Sequence, residues 1–177
     1  MPLTAPTRLP QCPVATHRIV RVTHRQYAGE AYSGEGGLYA AGRWHHRGQL
    51  VAYAAESLPL ATLETIVAVN DLQRLRATVY VPAHLDEEAL WTPVLDRLPD
   101  GWDQRPPTAA SRDFGTDWLE SERSPALQVP SALFPTEARN YVLNSAHPEF
   151  DAAVQVDKPQ PLNLDPRIET RLGEKSP

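Results

Sequence analysis
Four side chains in this sequence have the type and setting to take part in chemistry: Arg43, Tyr53, Glu64 and Ser131. Arg43 stands between Gly42 and Trp44, shortly after the glycine-rich stretch 34–37. A guanidinium in such a loop suits two-pronged binding of a phosphate or carboxylate, and equally a structural ion pair. Glu64 lies four residues after Leu60 and three before Val67. On a helix that spacing sets its carboxylate beside an apolar stripe, where it is either a rim residue reaching for water or a catalytic group. Tyr53, inside an apolar run, is either a core ring with a satisfied hydroxyl or a face on which a flat ligand ring stacks. Ser131 follows Pro130 at a strand end, where a hydroxyl ordinarily serves a turn, and no Gly-x-Ser-x-Gly elbow surrounds it.

Other chemistries find little support. His45-His46 is not accompanied by a His-Glu-x-x-His helix or a comparable ligand set, so no metal is expected. Gly34-Glu35-Gly36-Gly37 is not the dinucleotide fingerprint of a Rossmann fold. Cys12 is the one cysteine, which removes intrachain disulfides and cysteine metal clusters and makes the cytoplasm the expected compartment. A net charge of −5 argues against a broad nucleic-acid face while leaving room for a local basic pocket. No apolar run approaches the roughly 20 residues of a membrane span, and the start lacks the pattern of a signal peptide, so neither membrane insertion nor export is expected.

The elements that must position these side chains follow from periodicity and punctuation. A chain of 177 residues, 41% of them hydrophobic, fits one domain, expected over 17–177 behind a proline-containing arm at 1–16. Runs of β-branched and apolar residues predict strands at 18–22, 50–55, 76–81 (closed by Pro82), 126–129, 140–144 and 154–156. One helix is predicted from Pro59 to about Val69, with Ser57 as cap, Leu60, Leu63 and Val67 as its apolar positions and Asn70-Asp71 as its stop. A second spans about 108–124 with Phe114, Trp118 and Leu119 inward and Gly115 weakening it. Residues 34–37 read as a loop and 86–107 as turns with at most a short helix. The tail from Asp151, with Pro159, Pro161 and Pro166, either completes the sheet or supports a partner contact. The order of short strands and two main helices predicts an α+β domain around a curved central sheet.

Three blocks together resemble the RES domain family, named for its Arg, Glu and Ser. They are Gly29 to Trp44, closing in Gly42-Arg43-Trp44; Val51 to Glu64; and Leu127 to Asn144, followed by His147-Pro148. The resemblance runs from about Arg18 to about Phe150. It implies a fold similar to ADP-ribosyltransferase toxins, NAD⁺ as substrate, and cleavage of the nicotinamide–ribose bond. Inorganic phosphate is the implied acceptor, yielding nicotinamide and ADP-ribose 1″-phosphate, with no further cofactor. Carried over by motif, Arg43, Glu64 and Ser131 are the implied catalytic residues, and Arg43, Tyr53 and Ser131 the substrate-binding ones. Two departures stand out: His45 where the family often has Asn, and Ala41 where it often has Gly. The resemblance further implies a toxin of a type II toxin–antitoxin pair, held in a hetero-oligomer by an Xre-like helix-turn-helix antitoxin that blocks the site. DNA contact would belong to that partner. Two other functions fit the same residues: ADP-ribosyl transfer onto a protein, and a catalytically silent binding module.

Overall fold
The computed structural model describes residues 15–69 and 75–173. The arm at 1–14, with Cys12, and the Asn70-Asp71 helix stop lie outside the described residues. Eight described strands form one sheet: β1 (Thr16–His24), β2 (Val51–Ala55), β3 (Thr78–Asp86), β4 (Leu90–Trp91), β5 (Ala126–Pro130), β6 (Arg139–Asn144), β7 (Val154–Val156) and β8 (Gln160–Pro161). Their order is β4-β5-β6-β2-β1-β3-β7, with β8 also on β3. All pairs are antiparallel except β4 with β5. The helices described in full are α1 (Gly36–Tyr39), α2 (Leu58–Ala68), α3 (Ala109–Glu120), α4 (Phe150–Ala153) and α5 (Pro166–Gly173).

The sheet is a curled half-barrel with a seam. β1 pairs with β3 along its whole length, from Thr16↔Asp86 to His24↔Thr78, and β2 pairs with β6 from Val51↔Asn144 to Ala55↔Asn140. β1 and β2 meet only at Val20↔Ala55. Beyond that pair Arg21 stands in for a backbone ladder, its Nη1 donating to the Tyr53 carbonyl at 2.7 Å. A sheet that parts between neighbouring strands leaves backbone edges and side chains open to a ligand.

Alternation along the strands divides the core between the two faces of the sheet. Ile19, Ala52, Ala54, Val81, Tyr141 and Leu143 pack on one side. Trp44, Val51, Trp118, Leu127, Val129 and Val142 pack on the other, beneath α3. A third group, Val20, Ala55, Leu60, Ala61 and Ala138, seats α2.

Several expectations need correction. β3 does not stop at Pro82 but runs through it to Asp86. The Pro82 carbonyl accepts from Asp157 N at 2.9 Å, and its ring nitrogen points the same way, towards the gap between β7 and β8, where no ladder donor is needed. Gly36 and Gly37 are not loop but open the four-residue helix α1. The 86–107 segment contains the short strand β4 as well as turns. On α2 only Leu60 and Ala61 are buried; Leu63 and Val67 are 41% and 52% exposed, and Val67 borders a cleft rather than the core. On α3, Trp118 and Leu119 are buried as expected, while Phe114 is only partly covered and Gly115 is a fully inward position. The tail completes the sheet through β7 and β8 on β3.

Gly115 is required rather than merely tolerated. A Cβ there would overlap the backbone carbonyl of Trp44. Alanine normally favours a helix interior by about 1 kcal/mol over glycine, but a clash against backbone outweighs that gain. Gly115→Ala is expected to destabilise the protein by about 2 kcal/mol and lower its melting midpoint by about 4–8 °C in calorimetry. An unchanged or raised midpoint would contradict this packing.

Candidate active site
The sequence builds one wall of a cleft from α2. Ser57 is extended (φ −148°, ψ 156°) and its Oγ accepts from Leu60 N at 3.4 Å, with a proline in the first turn. With Leu60 and Ala61 buried against β1 and β2, the next turn brings Glu64 to the cleft.

Glu64 is held from β5 and β6. Its Oε1 accepts from Ser131 Oγ at 2.8 Å and from Asn140 Nδ2 at 2.7 Å. Ser131 follows the end of β5 and is fully buried. Its N–H donates to the Ala138 carbonyl at 2.9 Å, and its Oγ accepts from Leu133 N at 3.1 Å. The one hydroxyl proton of Ser131 is thus committed to Glu64, so the serine stands behind the carboxylate and faces it rather than the cleft. Oε2 of Glu64 has no hydrogen-bond partner among the described residues.

The opposite wall is the Gly42–His45 turn, closed by Gly42 N donating to the His45 carbonyl at 3.1 Å. Three contacts from α3 clasp this turn: Arg112 Nε to the Gly42 carbonyl at 3.3 Å, Thr116 Oγ1 accepting from His46 N at 3.0 Å, and Gly115 against Trp44. Arg43 is half-buried and makes no ion pair among the described residues. Its Nη1 donates to the carbonyls of Trp102, at 2.6 Å, and Gln104, at 2.8 Å. These acceptors are neutral and do not offset its charge, which Glu64 and Asp103 favour from farther away. Burial and the nearby Arg105 push the Arg43 pKa down while Glu64 pulls it up; a guanidinium remains charged throughout.

Tyr53, on β2, lines the cleft with its ring, and its hydroxyl is satisfied by His45 Nδ1 at 2.7 Å and Trp44 N at 3.2 Å. Burial raises its phenol well above the ordinary value, so it is protonated at neutral pH.

The cleft has a volume of about 750 Å³, within the roughly 300–1,000 Å³ of small-molecule sites. Among the described residues, Arg21, Arg43 and Arg105 line it against a single carboxylate, Glu64. A chain of net charge −5 therefore carries a locally positive pocket, suited to an anion.

Of the four sequence-selected residues, Arg43, Tyr53 and Glu64 line this cleft and Ser131 supports it from behind. Sequence reasoning missed Arg21 and Asn140. Arg21 lines the cleft with a buried Nε that has no hydrogen-bond partner; Asn140 holds Glu64 while its Oδ1 is buried and unpartnered. An arginine amid the β-branched residues of β1 and an asparagine opening a strand were the available signals. No group of three or more His, Cys, Asp or Glu that could hold a metal occurs among the described residues. No described helix is long and apolar enough to cross a membrane.

Fold and cleft together define the class: an α+β domain whose half-barrel sheet opens onto an arginine-lined carboxylate site. The same fold occurs in the M. tuberculosis MbcT–MbcA toxin–antitoxin complex, with a TM-score of 0.66 at 14% identity over 90% of each chain. Residues 17–165 match the RES domain, and the chain belongs to that family. It is 34% identical over 150 residues to "Toxin Res" of Yersinia enterocolitica, covering 85% of this chain and 98% of that one. It is 36% identical over 149 residues to "Prs ADP-ribosylating toxin" of Sphingobium sp., covering 81% and 90%.

Proposed function
We propose that this protein is the toxin of a type II toxin–antitoxin pair and depletes NAD⁺ by cleaving its nicotinamide–ribose bond, with inorganic phosphate as acceptor. The observation that carries this reading is the Glu64 carboxylate, fixed by Ser131 and Asn140 at a cleft whose other charged lining among the described residues is three arginines. The two chemistries match the two ends of the substrate. The diphosphate of NAD⁺ and free phosphate are both anions that guanidinium groups bind in charge-assisted pairs. When the C1″–N bond breaks, its electron pair goes to the pyridinium nitrogen and nicotinamide leaves neutral. The sugar becomes oxocarbenium-like, and Glu64 stabilises that positive charge and holds a ribose hydroxyl through Oε2. A phosphate oxygen then bonds to C1″, giving ADP-ribose 1″-phosphate. Tyr53 flanks the nicotinamide or ribose with its ring. Ser131 and Asn140 orient the carboxylate, a role in which the serine is no nucleophile.

The test is the purified protein, freed of any partner, incubated with NAD⁺ with and without phosphate, the products being separated by chromatography. Phosphate-dependent ADP-ribose 1″-phosphate is the expected product; free ADP-ribose would mean hydrolysis instead, and undiminished NAD⁺ would remove the proposal. A second reading has a specific support, the Sphingobium relative named as an ADP-ribosylating toxin. Under it the acceptor is a protein side chain, and mass spectrometry would find ADP-ribose on a target protein. The partner in either case is an Xre-like antitoxin covering the cleft. Adding that antitoxin is expected to stop NAD⁺ loss.

A further inference from the structure
His45 is 3% exposed and bonded at both ring nitrogens. Nε2 lies 3.0 Å from the Ala40 carbonyl and Nδ1 lies 2.7 Å from the Tyr53 hydroxyl. A carbonyl can only accept, so Nε2 carries the proton and Nδ1 of the neutral ring is bare. Tyr53 therefore donates its hydroxyl proton to Nδ1, and its oxygen accepts from Trp44 N at 3.2 Å. The links run from Ala40 through His45 and Tyr53 to the backbone beside Arg43. They cross the turn whose ends, Gly42 N and the His45 carbonyl, are joined at 3.1 Å. A Cβ on Gly42 would fall 2.5 Å from His45 Cε1 and 2.7 Å from both His45 Nδ1 and the Tyr53 hydroxyl, so the turn is built around this pair.

We propose that His45 is a positioning residue for the anion-binding arginine: through the Tyr53 hydroxyl, its neutral ring fixes the Gly42–His45 turn and thereby the place of Arg43 on the cleft wall. The link is fully satisfied in one protonation state. A proton on Nδ1 turns it into a donor, so the bond must reverse onto an oxygen that already accepts from Trp44 N, and the Tyr53 hydroxyl proton loses its acceptor, which weakens the link. Burial lowers the His45 pKa from 6.5, the Ala40 carbonyl opposes this, and His46 on the same loop and Arg112 on α3 lower it further. Tyr53 on β2, raised by burial, is protonated wherever His45 titrates. Neutral His45 thus persists below the ordinary histidine range, and the link weakens as pH falls through its lowered pKa.

The kinetic arm of the test rests on the proposed NAD⁺ chemistry; the spectroscopic and binding arms do not. Nitrogen NMR of the full chain should show His45 as the Nε2–H tautomer, titrating below 6.5. His45→Ala is expected to weaken inorganic phosphate binding in calorimetry about tenfold and to raise KM for NAD⁺ about as much, with kcat within about threefold, since the turn is displaced rather than the reacting groups removed. His45→Asn, whose amide carries one acceptor and one donor, should recover most of that loss and abolish the rise of KM on the acid side. The double variant His45→Ala/Tyr53→Phe should be no worse than the poorer single variant, because both break one link. A freely titrating His45, unaltered phosphate binding in His45→Ala, or a fall in kcat alone would overturn the assignment. If the wild-type protein consumes no NAD⁺, the proposed function fails while tautomer and phosphate affinity still decide the role of His45.

Discussion

Glu64→Gln is expected to leave the fold intact and slow nicotinamide release by about a thousandfold. The glutamine carbonyl oxygen can occupy the place of Oε1 and go on accepting from Ser131 Oγ and Asn140 Nδ2. The amide nitrogen then falls where Oε2 has no partner among the described residues, so the exchange strands no polar group. What disappears is the negative charge facing the sugar. Two unit charges about 4 Å apart interact by about 4 kcal/mol at an effective dielectric of about 20, and each 1.36 kcal/mol is tenfold in rate. The check is nicotinamide release under saturating NAD⁺ together with a thermal melt. A melting midpoint close to wild type with turnover nearly gone supports the role. Retained turnover would exclude Glu64 as the group that stabilises the transition state.

Ser131→Ala separates orientation from charge. Glu64 keeps its charge and its Asn140 bond but loses the 2.8 Å donor on the other side, and Leu133 N loses its acceptor. A loosened carboxylate should cost turnover about tenfold to a hundredfold, clearly less than Glu64→Gln. If the two variants were equally inactive, Ser131 would be acting on substrate directly.

How far the sequence could be read is clearest at the two walls of the cleft. The Glu64 wall was largely legible, because Ser57, Pro59 and the Leu60–Glu64 spacing are local signals and a cap and a helical period need no knowledge of neighbours. The same periodicity misled at Leu63 and Val67. Their apolar character is real, but neither is buried, and Val67 meets the cleft instead of the core because β1 and β2 part there, which no local pattern encodes. Arg21 was invisible for that reason too. In a fully paired sheet a basic residue among β-branched ones reads as solvent-facing, and only the single Val20↔Ala55 contact lets its guanidinium reach the Tyr53 carbonyl. Asn140 depends on pairing as well: it reaches Glu64 because β6 lies between β5 and β2 and sets Asn140 opposite Ala55 and Val129. Gly115, which weakened the helix when propensity alone was considered, is the residue that admits Trp44 and the arginine-bearing turn. Tertiary contact overrode propensity there.

Arg43 offers the second large effect, and the comparison of alanine with lysine decides what the residue is for. Of the five N–H groups of its guanidinium, the two on Nη1 face the Trp102 and Gln104 carbonyls, leaving Nε and Nη2 for an anion. Arg43→Ala removes both uses. Charge-assisted hydrogen bonds contribute about 1.5–3 kcal/mol each, so losing a two-pronged contact is expected to lower kcat/KM for NAD⁺ by about a hundredfold to a thousandfold. Arg43→Lys restores the positive charge and enough N–H groups to satisfy both carbonyls, which would retether the 102–104 segment. It leaves at most one donor for the ligand and none of the planar fork. If Arg43 serves only to pin that segment, lysine should return kcat/KM to near the wild-type value. If it binds the diphosphate or the attacking phosphate, lysine should recover stability yet remain at least about tenfold impaired. The wild-type KM should then climb with ionic strength more steeply than that of Arg43→Ala, because the charge lost in that variant is the screened one.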